Sequence, residues 1–198
     1  MQHNLEIIDN WQLDNGFTLA WVKKLPDEQY LKQFNQHLLQ GFTVLPWKTS
    51  LSDEDKAKHE RLQSLLKDRF QIKLALLSED SMIGWSYGWQ INNTDFNVGG
   101  SLVLPEYRFK GLYSAMMKRM LEITKAEGFS AVHSKHISTN NPILIAKLKL
   151  GFMINGFELD EVMGTLIKMV YHHNEIRRKA AFFRAGKMSE DMLLNNLI

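Results

Sequence analysis

The stretch that most constrains this chain is residues 96–126. A strand-like run, Phe96-Asn97-Val98-Gly99-Gly100-Ser101-Leu102-Val103-Leu104, passes through Pro105 and a basic turn, Arg108-Phe109-Lys110-Gly111. It then enters a helical run with Leu112, Ala115, Met116, Met120 and Ile123 on one face. Two successive glycines inside a strand suggest a bulge, which bends the strand and disrupts pairing with its neighbour. A strand splayed in this way exposes backbone donors and acceptors. The start of a helix exposes unpaired N–H groups and a partial positive charge, so a turn that aims them at one point can hold a diphosphate. Gly111 leaves room for phosphate to approach the backbone, and Arg108 and Lys110 add positive charge beside it. Taken as four letters alone, Arg-x-x-Gly is equally a polar turn before a helix; the ordered surroundings favour the cradle.

The flanking segments alternate in period as well. Phe17, Leu19 and Trp21 follow the tight-turn signal Asp14-Asn15-Gly16, so residues 11–21 read as an N-terminal hairpin. After Pro26 and a capping Asp27, Leu31, Phe34 and Leu38 fall at helical spacing before Gly41. Ser52 opens a second helix whose expected buried stripe is Leu62, Leu65, Leu66 and Phe70. Residues 72–77 and 83–91 read as strands joined near Glu79-Asp80-Ser81. The second alternates Ile83, Trp85, Tyr87, Trp89 and Ile91 against Gly84, Ser86, Gly88 and Gln90, mostly small groups that admit a close neighbour or a ligand. Farther on, 131–135 reads as a strand, 142–150 as a short helix stopped by Gly151, and 152–157 with 165–171 as a last strand pair. The expected class is α/β with a mixed sheet flanked by helices over residues 1–173. Residues 174–184 and 188–197 read as helices of an appendage, 174–198.

A chain of 198 residues suits one domain with such an appendage. Its 24 Lys and Arg against 22 Asp and Glu leave a formal charge of +2, too little for a surface built on phosphate neutralisation, so no nucleic-acid partner is expected. Without cysteine there is no thiolate nucleophile, disulfide or Cys-based zinc site. The seven histidines show no metal-ligand spacing, since the adjacent His172 and His173 point apart on a strand, and no metal is expected. The N-terminal residues have neither the basic start nor the apolar stretch of a secretory signal, and no apolar run is long enough to span a bilayer. A cytoplasmic protein with no membrane partner is the expectation. In the tail, Arg177, Arg178, Lys179, Arg184 and Lys187 interleave with Ile176, Ala180, Phe182 and Phe183, which fits an amphipathic helix packed on the domain or, in a homodimer, on a partner subunit.

The glycine-interrupted strand, Pro105, the basic turn, the amphipathic helix, the next strand, and Asn141-Pro142 leading to Lys149-Leu150-Gly151-Phe152 form an ordered series. In it the chain resembles the GNAT superfamily of acyl-CoA-dependent N-acetyltransferases. Residues 103–114 are similar to the family's acyl-CoA signature, Arg/Gln-x-x-Gly-x-Gly/Ala, and residues 141–152 to its second motif, an Asn-led helix ending in Gly-Phe. The likeness in motifs covers residues 96–157, and the order of elements fits more loosely from about residue 17 to 171, leaving the tail after His173 outside. The resemblance implies a GNAT-like fold, a central, mostly antiparallel sheet splayed in the middle. It also implies that N–H groups around Lys110, Gly111, Leu112, Tyr113 and Ser114, with Arg108 and Phe109 in the same turn, bind the CoA pyrophosphate. The pantetheine would lie beside Leu102, Val103 and Leu104, and Asn141 would contact the cofactor arm from the opposite side. Two positions depart from the pattern. Tyr113 replaces the signature's final small residue, and Lys147 stands where many members carry a Tyr that protonates the departing CoA thiolate. A lysine ammonium can stabilise or protonate a thiolate, or pair with a CoA phosphate; the preferred expectation is a solvated helix lysine.

Acyl transfer to an amine needs the amine deprotonated, the thioester carbonyl polarised and the leaving sulfur protonated or stabilised. An N–H near Leu104 is the expected donor to the carbonyl. Asp95 is a candidate base, directly or through water; the alternative is a turn residue bonding its own backbone after Asn92-Asn93-Thr94. Asn97 stands where some members carry Glu and cannot be a base. His133 and His136 fall on opposite faces of their strand, so one at most looks into the cleft, and His136 is the preferred one. The acceptor is expected opposite CoA, against the apolar surface of residues 41–48 with Phe42 and Trp47, where Glu158, Asp160 and Glu161 could attract a cationic amine; the alternatives are core aromatics and a solvated loop. The reading is an N-acetyltransferase that moves an acetyl group from acetyl-CoA to a primary amine of a small molecule or peptide by direct attack in a ternary complex. Lys147 and the lack of an obvious carboxylate base favour the alternative, a non-catalytic acyl-CoA-binding module.

Overall fold

In the computed structural model, which describes residues 5–37 and 51–186 apart from Asn15, Lys67 and Asp80, the period-2 segments become strands and the period-3.6 segments become helices. The strands are β1 (Ile7–Gln12), β2 (Thr18–Val22), β3 (Gln71–Ser78), β4 (Ser81–Gln90), β5 (Asp95–Val103), β6 (Ala131–Ile137), β7 (Met153–Asp160) and β8 (Gly164–His172). The helices are α1 (Asp27–His37), α2 (Asp53–Ser64), α3 (Leu112–Ala126), α4 (Asn141–Lys149) and α5 (Glu175–Arg184). One sheet runs in the order β1-β2-β3-β4-β5-β6-β8-β7. Every neighbouring pair is antiparallel except β5 with β6. The class is the mixed, mostly antiparallel sheet flanked by helices that the sequence predicts.

The glycine pair does what its position suggests. Tyr87 and Gly88 of β4 face Gly100 and Val98 of β5, so Gly99 is the extra residue of a bulge. Pairing of β5 with β6 runs from Asp95/Ala131 to Val98/Ser134 and then stops, leaving a gap between the two parallel strands. The aromatics of β4 explain why glycine is needed: a Cβ on Gly99 would lie 2.0 Å from the Trp89 ring. The small residues of β4 admit neighbours, not a ligand. A Cβ on Gly88 would lie 2.4 Å from the Phe96 ring, and the Ser86 hydroxyl sits 2.8 Å from that of Ser101 and donates to the Gly100 carbonyl at 3.2 Å.

Each face of the sheet carries its own core. On one, Met116, Met120 and Ile123 of α3 pack on Ile72, Phe96, Val132 and Met169. On the other, Tyr30 and Phe34 of α1 cover Ala75, Trp85 and Leu102, and Gln33 anchors α1 by donating to the Met82 carbonyl at 3.0 Å. The first segment of the expected appendage is docked on the sheet. Ala181 and Phe182 of α5 pack on Ala131, Met153 and Val170, and Arg178 donates to the His172 carbonyl at 2.7 Å. The α2 stripe is not realised. The helix ends at Ser64, buries none of its residues, and leaves Leu62, Leu65 and Leu66 between 53% and 71% exposed. Its sequence, DEDKAKHERLQS, carries too few apolar residues for a continuous face. Phe70, beyond the helix, joins Trp21, Phe96 and Phe129 in an aromatic cluster. Leu38, Gly41, Phe42, Trp47 and the helix expected over 188–197 lie outside the described residues.

Gly99→Val places a branched side chain against the Trp89 ring, and overpacking of this kind costs about 1–3 kcal/mol. Urea unfolding should show a lowered midpoint; an unchanged midpoint would mean that the bulge does not depend on glycine there.

Candidate active site

β5 ends at Val103, Pro105–Tyr107 makes one tight helical turn, and the chain enters α3 through two left-handed residues, Phe109 at φ +63° and Gly111 at φ +76°. Gly111 is the residue at the head of α3, where no side chain caps the helix. The Ala115 amide makes a helical bond back to the Gly111 carbonyl at 3.0 Å, so the amides of Leu112, Tyr113 and Ser114 are the uncommitted donors. A Cβ on Gly111 would meet no atom within 4 Å. Backbone handedness and access from outside, not packing, therefore call for glycine.

These amides face a cleft of about 660 Å³ between α3 and α4, with Arg108, Lys118 and Lys149 among its walls. Of the residues that the resemblance assigns to CoA, Val103, Phe109, Gly111, Leu112, Tyr113 and Ser114 line it as well. Leu102, Leu104, Lys110 and Asn141 do not. Leu102 is buried on the opposite face beside Trp85, and Leu104 packs at the edges of both cores. The Lys110 ammonium sits 5.2 Å from the Tyr107 ring, and Asn141 is exposed at the head of α4, next to the lining residue Pro142. Lys118 was legible in principle, because it lies two helical turns beyond Gly111 and so shares its face. Arg108 is tied down by its Nε, which donates to the Val103 carbonyl at 3.0 Å. Tyr113, the oversized residue of the motif, buries its hydroxyl without a hydrogen-bond partner among the described residues, and burial pushes that phenol up.

The expected carbonyl donor needs correction. The Leu104 amide donates to the Ile83 carbonyl at 2.9 Å and is not available. Backbone groups alternate in direction along a strand, and the Val103 carbonyl reaches Arg108 instead of β4. The amides of Val103 and Ser101 therefore face the gap that β6 vacates.

Lys147 is not a solvated helix lysine. It is 0% exposed, its Nζ has no hydrogen-bond partner among the described residues, and it lies 3.9 Å from the centroid of the Phe152 ring. Burial lowers its ammonium to about 7. It occupies the middle of α4, on the turn that packs inward just ahead of Gly151-Phe152. His136 is affected by the same surroundings: burial first, then the charge of Lys147, push its imidazole down to about 3. Its Nε2 lies 3.0 Å from the Ser134 hydroxyl. An imidazole this weakly basic is neutral at neutral pH and is a poor proton acceptor, which reverses the preference for His136 over His133.

Asp95 and His133 meet on the other face of the sheet, in a second pocket of about 410 Å³ lined also by Trp89, Asn97 and Lys168. His133 Nε2 is 3.4 Å from Asp95 Oδ2. The self-bonding turn residue is Asn92, whose side-chain oxygen accepts from the Thr94 and Asp95 amides, both at 2.8 Å. The acidic connection is not a free cation trap. Glu158 pairs with Lys135 and Lys168, and an Asp160 oxygen accepts from the Val162 and Met163 amides at 2.9 and 2.8 Å. Among the described residues, no group of three His, Asp or Glu side chains could hold a metal ion.

Residues 31–152, well over half of the chain, match the family described as Acetyltransferase (GNAT) family. No curated protein sequence matches. Among solved structures, the ribosomal-protein-S5-alanine acetyltransferase from Vibrio fischeri superposes with a TM-score of 0.62 at 15% identity, covering 84% of this chain and 98% of that one. The ribosomal-protein-S18-alanine N-acetyltransferase from Escherichia coli gives 0.55 at 15% identity, over 79% and 93%. A GNAT family acetyltransferase from Elizabethkingia anophelis with acetyl-CoA bound gives 0.54 at 13% identity, over 81% and 99%. At such identities the likeness is one of fold.

Lowering Lys147 from its ordinary 10.5 to about 7 corresponds to a burial cost of roughly 5 kcal/mol on the charged form. Between those two values the unfolded chain binds the extra proton, so the protein gains stability as pH rises from about 7 towards 10.5. Lys147→Met should therefore be more stable than the wild type at and below pH 7. Urea melts should show the advantage shrinking as pH climbs; a pH-independent difference would contradict the burial of the ammonium.

Proposed function

The chain belongs to the acetyltransferase (GNAT) family, and from that premise we propose that it moves an acetyl group from acetyl-CoA to a primary amine of a small molecule or peptide by direct attack in a ternary complex. The observation that carries this reading is the uncapped head of α3, with left-handed Gly111 and the amides of Leu112, Tyr113 and Ser114 opening into a cleft that Arg108, Lys118 and Lys149 make cationic. Amides fixed in this way accept a diphosphate without reorganising, and hydrogen bonds to charged groups contribute about 1.5–3 kcal/mol each.

From there the residues divide the chemistry. Val103 lines the path from the cradle to the gap between β5 and β6, and the Ser101 and Val103 amides face that gap, where they polarise the acyl carbonyl and hold negative charge as it develops. Lys147 supplies the acid. An ammonium that titrates at about 7 is well matched to donating a proton near neutral pH, and a departing thiolate gives it the counter-charge that its site lacks. With no cysteine in the chain, the acyl group cannot pass through an enzyme thioester.

Acetyl-CoA supplied with a panel of polyamines, amino acids, aminoglycosides and peptide N-termini should release free CoA, read with a thiol reagent. Thermal stabilisation by acetyl-CoA with no release on any of them would favour a binding module. Gly111→Val costs about 1–3 kcal/mol through its left-handed backbone and should abolish stabilisation by acetyl-CoA while the circular dichroism of the fold is retained. Lys147→Met should lower kcat about 100-fold or more. The wild-type kcat should fall as pH rises through about 7, and that fall should vanish in the variant. A wild-type profile without it would retire Lys147 as the acid.

A further inference from the structure

We infer that His133, held by Asp95, takes the proton from the acceptor amine, and that the amine sits in the pocket over Asn97 and Trp89. The inference rests on the acyl-transfer reading and adds to it the base and the place of the acceptor.

Position is the first argument. Asn97/His133 is the penultimate pair of the β5–β6 ladder, and after Val98/Ser134 the strands part. His133 therefore stands one pair from the apex of the gap. Val132 is packed in the α3 core, and alternation turns His133 to the opposite face, away from Lys147 and the donor cleft. A base on one face and an acid on the other lets amine and sulfur be served at once across the same gap.

Orientation is the second. Asp95 Oδ2 lies 3.4 Å from His133 Nε2, close enough for an ion pair; Nε2 is buried and makes no hydrogen bond among the described residues, so Nδ1 is the nitrogen that remains for an amine. Asp95 is itself held: it accepts from the Asn92 amide nitrogen at 3.2 Å and from the Thr94 hydroxyl at 3.2 Å. Burial alone would raise its carboxyl, but the bond from Asn92, the charge of His133 and the bond from Thr94 together keep it below the usual range. A fixed carboxylate at ion-pair distance stabilises the imidazolium once formed. Among the described residues, the other charges near this pocket include Lys135 and Lys168, both paired with Glu158, Arg69 with its guanidinium 5.1 Å from the Trp89 ring, and His172 at the end of β8 with Arg177 and Arg178 of α5 beside it.

In the step itself, the acceptor ammonium gives one proton to Nδ1, and the freed lone pair forms the C–N bond to the thioester carbon. The C–S bond breaks with its electron pair going to sulfur, which takes a proton from the Lys147 ammonium. The imidazolium and the amide nitrogen each release a proton to water and Lys147 regains one, so one proton leaves per amide formed. His133 is the catalytic residue here and Asp95 a positioning residue.

The test compares two small nucleophiles with acetyl-CoA at pH 7.5: propylamine, which arrives protonated, and hydroxylamine, which is already unprotonated at neutral pH. His133→Ala should lose about 100-fold in transfer to propylamine and keep transfer to hydroxylamine, with added imidazole restoring part of the loss. His133→Gln should behave alike, apart from the rescue, and acetyl-CoA should stabilise both variants as it does the wild type. Asp95→Asn should lower kcat for propylamine at unchanged KM and spare hydroxylamine, with Asp95→Glu recovering part of the rate. Equal losses for both nucleophiles, or no loss for either, would overturn the assignment. A wild type that acetylates neither would overturn the acyl-transfer reading and this inference with it, whereas acetyl-CoA stabilisation separates a failure of donor binding from a failure of the base.

Discussion

The arrangement depends on one interrupted ladder. Among the described residues β5 and β6 form the only parallel pair in the sheet, and their pairing ends after Val98/Ser134, just before the extra residue that Gly99 inserts against β4. A continuous ladder would consume the amides of Ser101 and Val103 and seal the two faces of the sheet from each other. By ending it, the bulge leaves those donors unspent between the α3–α4 cleft and the pocket over Asn97. Unpaired backbone groups are costly in a dry interior, so such a gap persists only where it meets water or a ligand. The aromatic rings of β4, lying where side chains on Gly99 and Gly100 would be, keep the bulge in register.

The second constraint is electrostatic. The head of α3 presents amides without a cap, and the interior of α4 presents an amine without a counter-charge. Both are unfavourable in isolation, and both sit on the donor side of the sheet. In the proposed reaction an anion would compensate the first and a thiolate the second, returning stability when the donor binds and reacts. On the acceptor side the charges are already matched, Asp95 with His133 and Glu158 with Lys135 and Lys168.

The legible parts of the structure were those set by local chemistry. The hairpin after Asp14, the bulge at Gly99-Gly100 and the basic turn closing on Gly111 each follow from residues adjacent in the chain. Gly111 heads α3, and Arg108 lines the cleft beside it. The failures share a cause. Leu62, Leu65 and Leu66 have helical spacing, but the helix ends at Ser64 and little packs against it. The Leu104 amide looked available because a sequence does not say which strand faces which backbone edge. The pairing of Glu158 was not legible because its lysine partners arrive from β6 and β8.

What the sequence by itself determined is the order and kind of elements and the backbone conformations at the bulge and the helix head. These depend on side-chain period and on the freedom of glycine, both local properties. What only the tertiary structure decided is which charges are buried and with whom. Lys147 and Lys149 differ by two letters on one helix, yet one is sealed beside Phe152 and the other lines the cleft. His133 and His136 lie on one strand, yet one faces a carboxylate and the other an ammonium-bearing chain. Solvation and pairing depend on neighbours distant in the chain, so proton affinity, and with it the assignment of acid and base, is a property of the packed molecule.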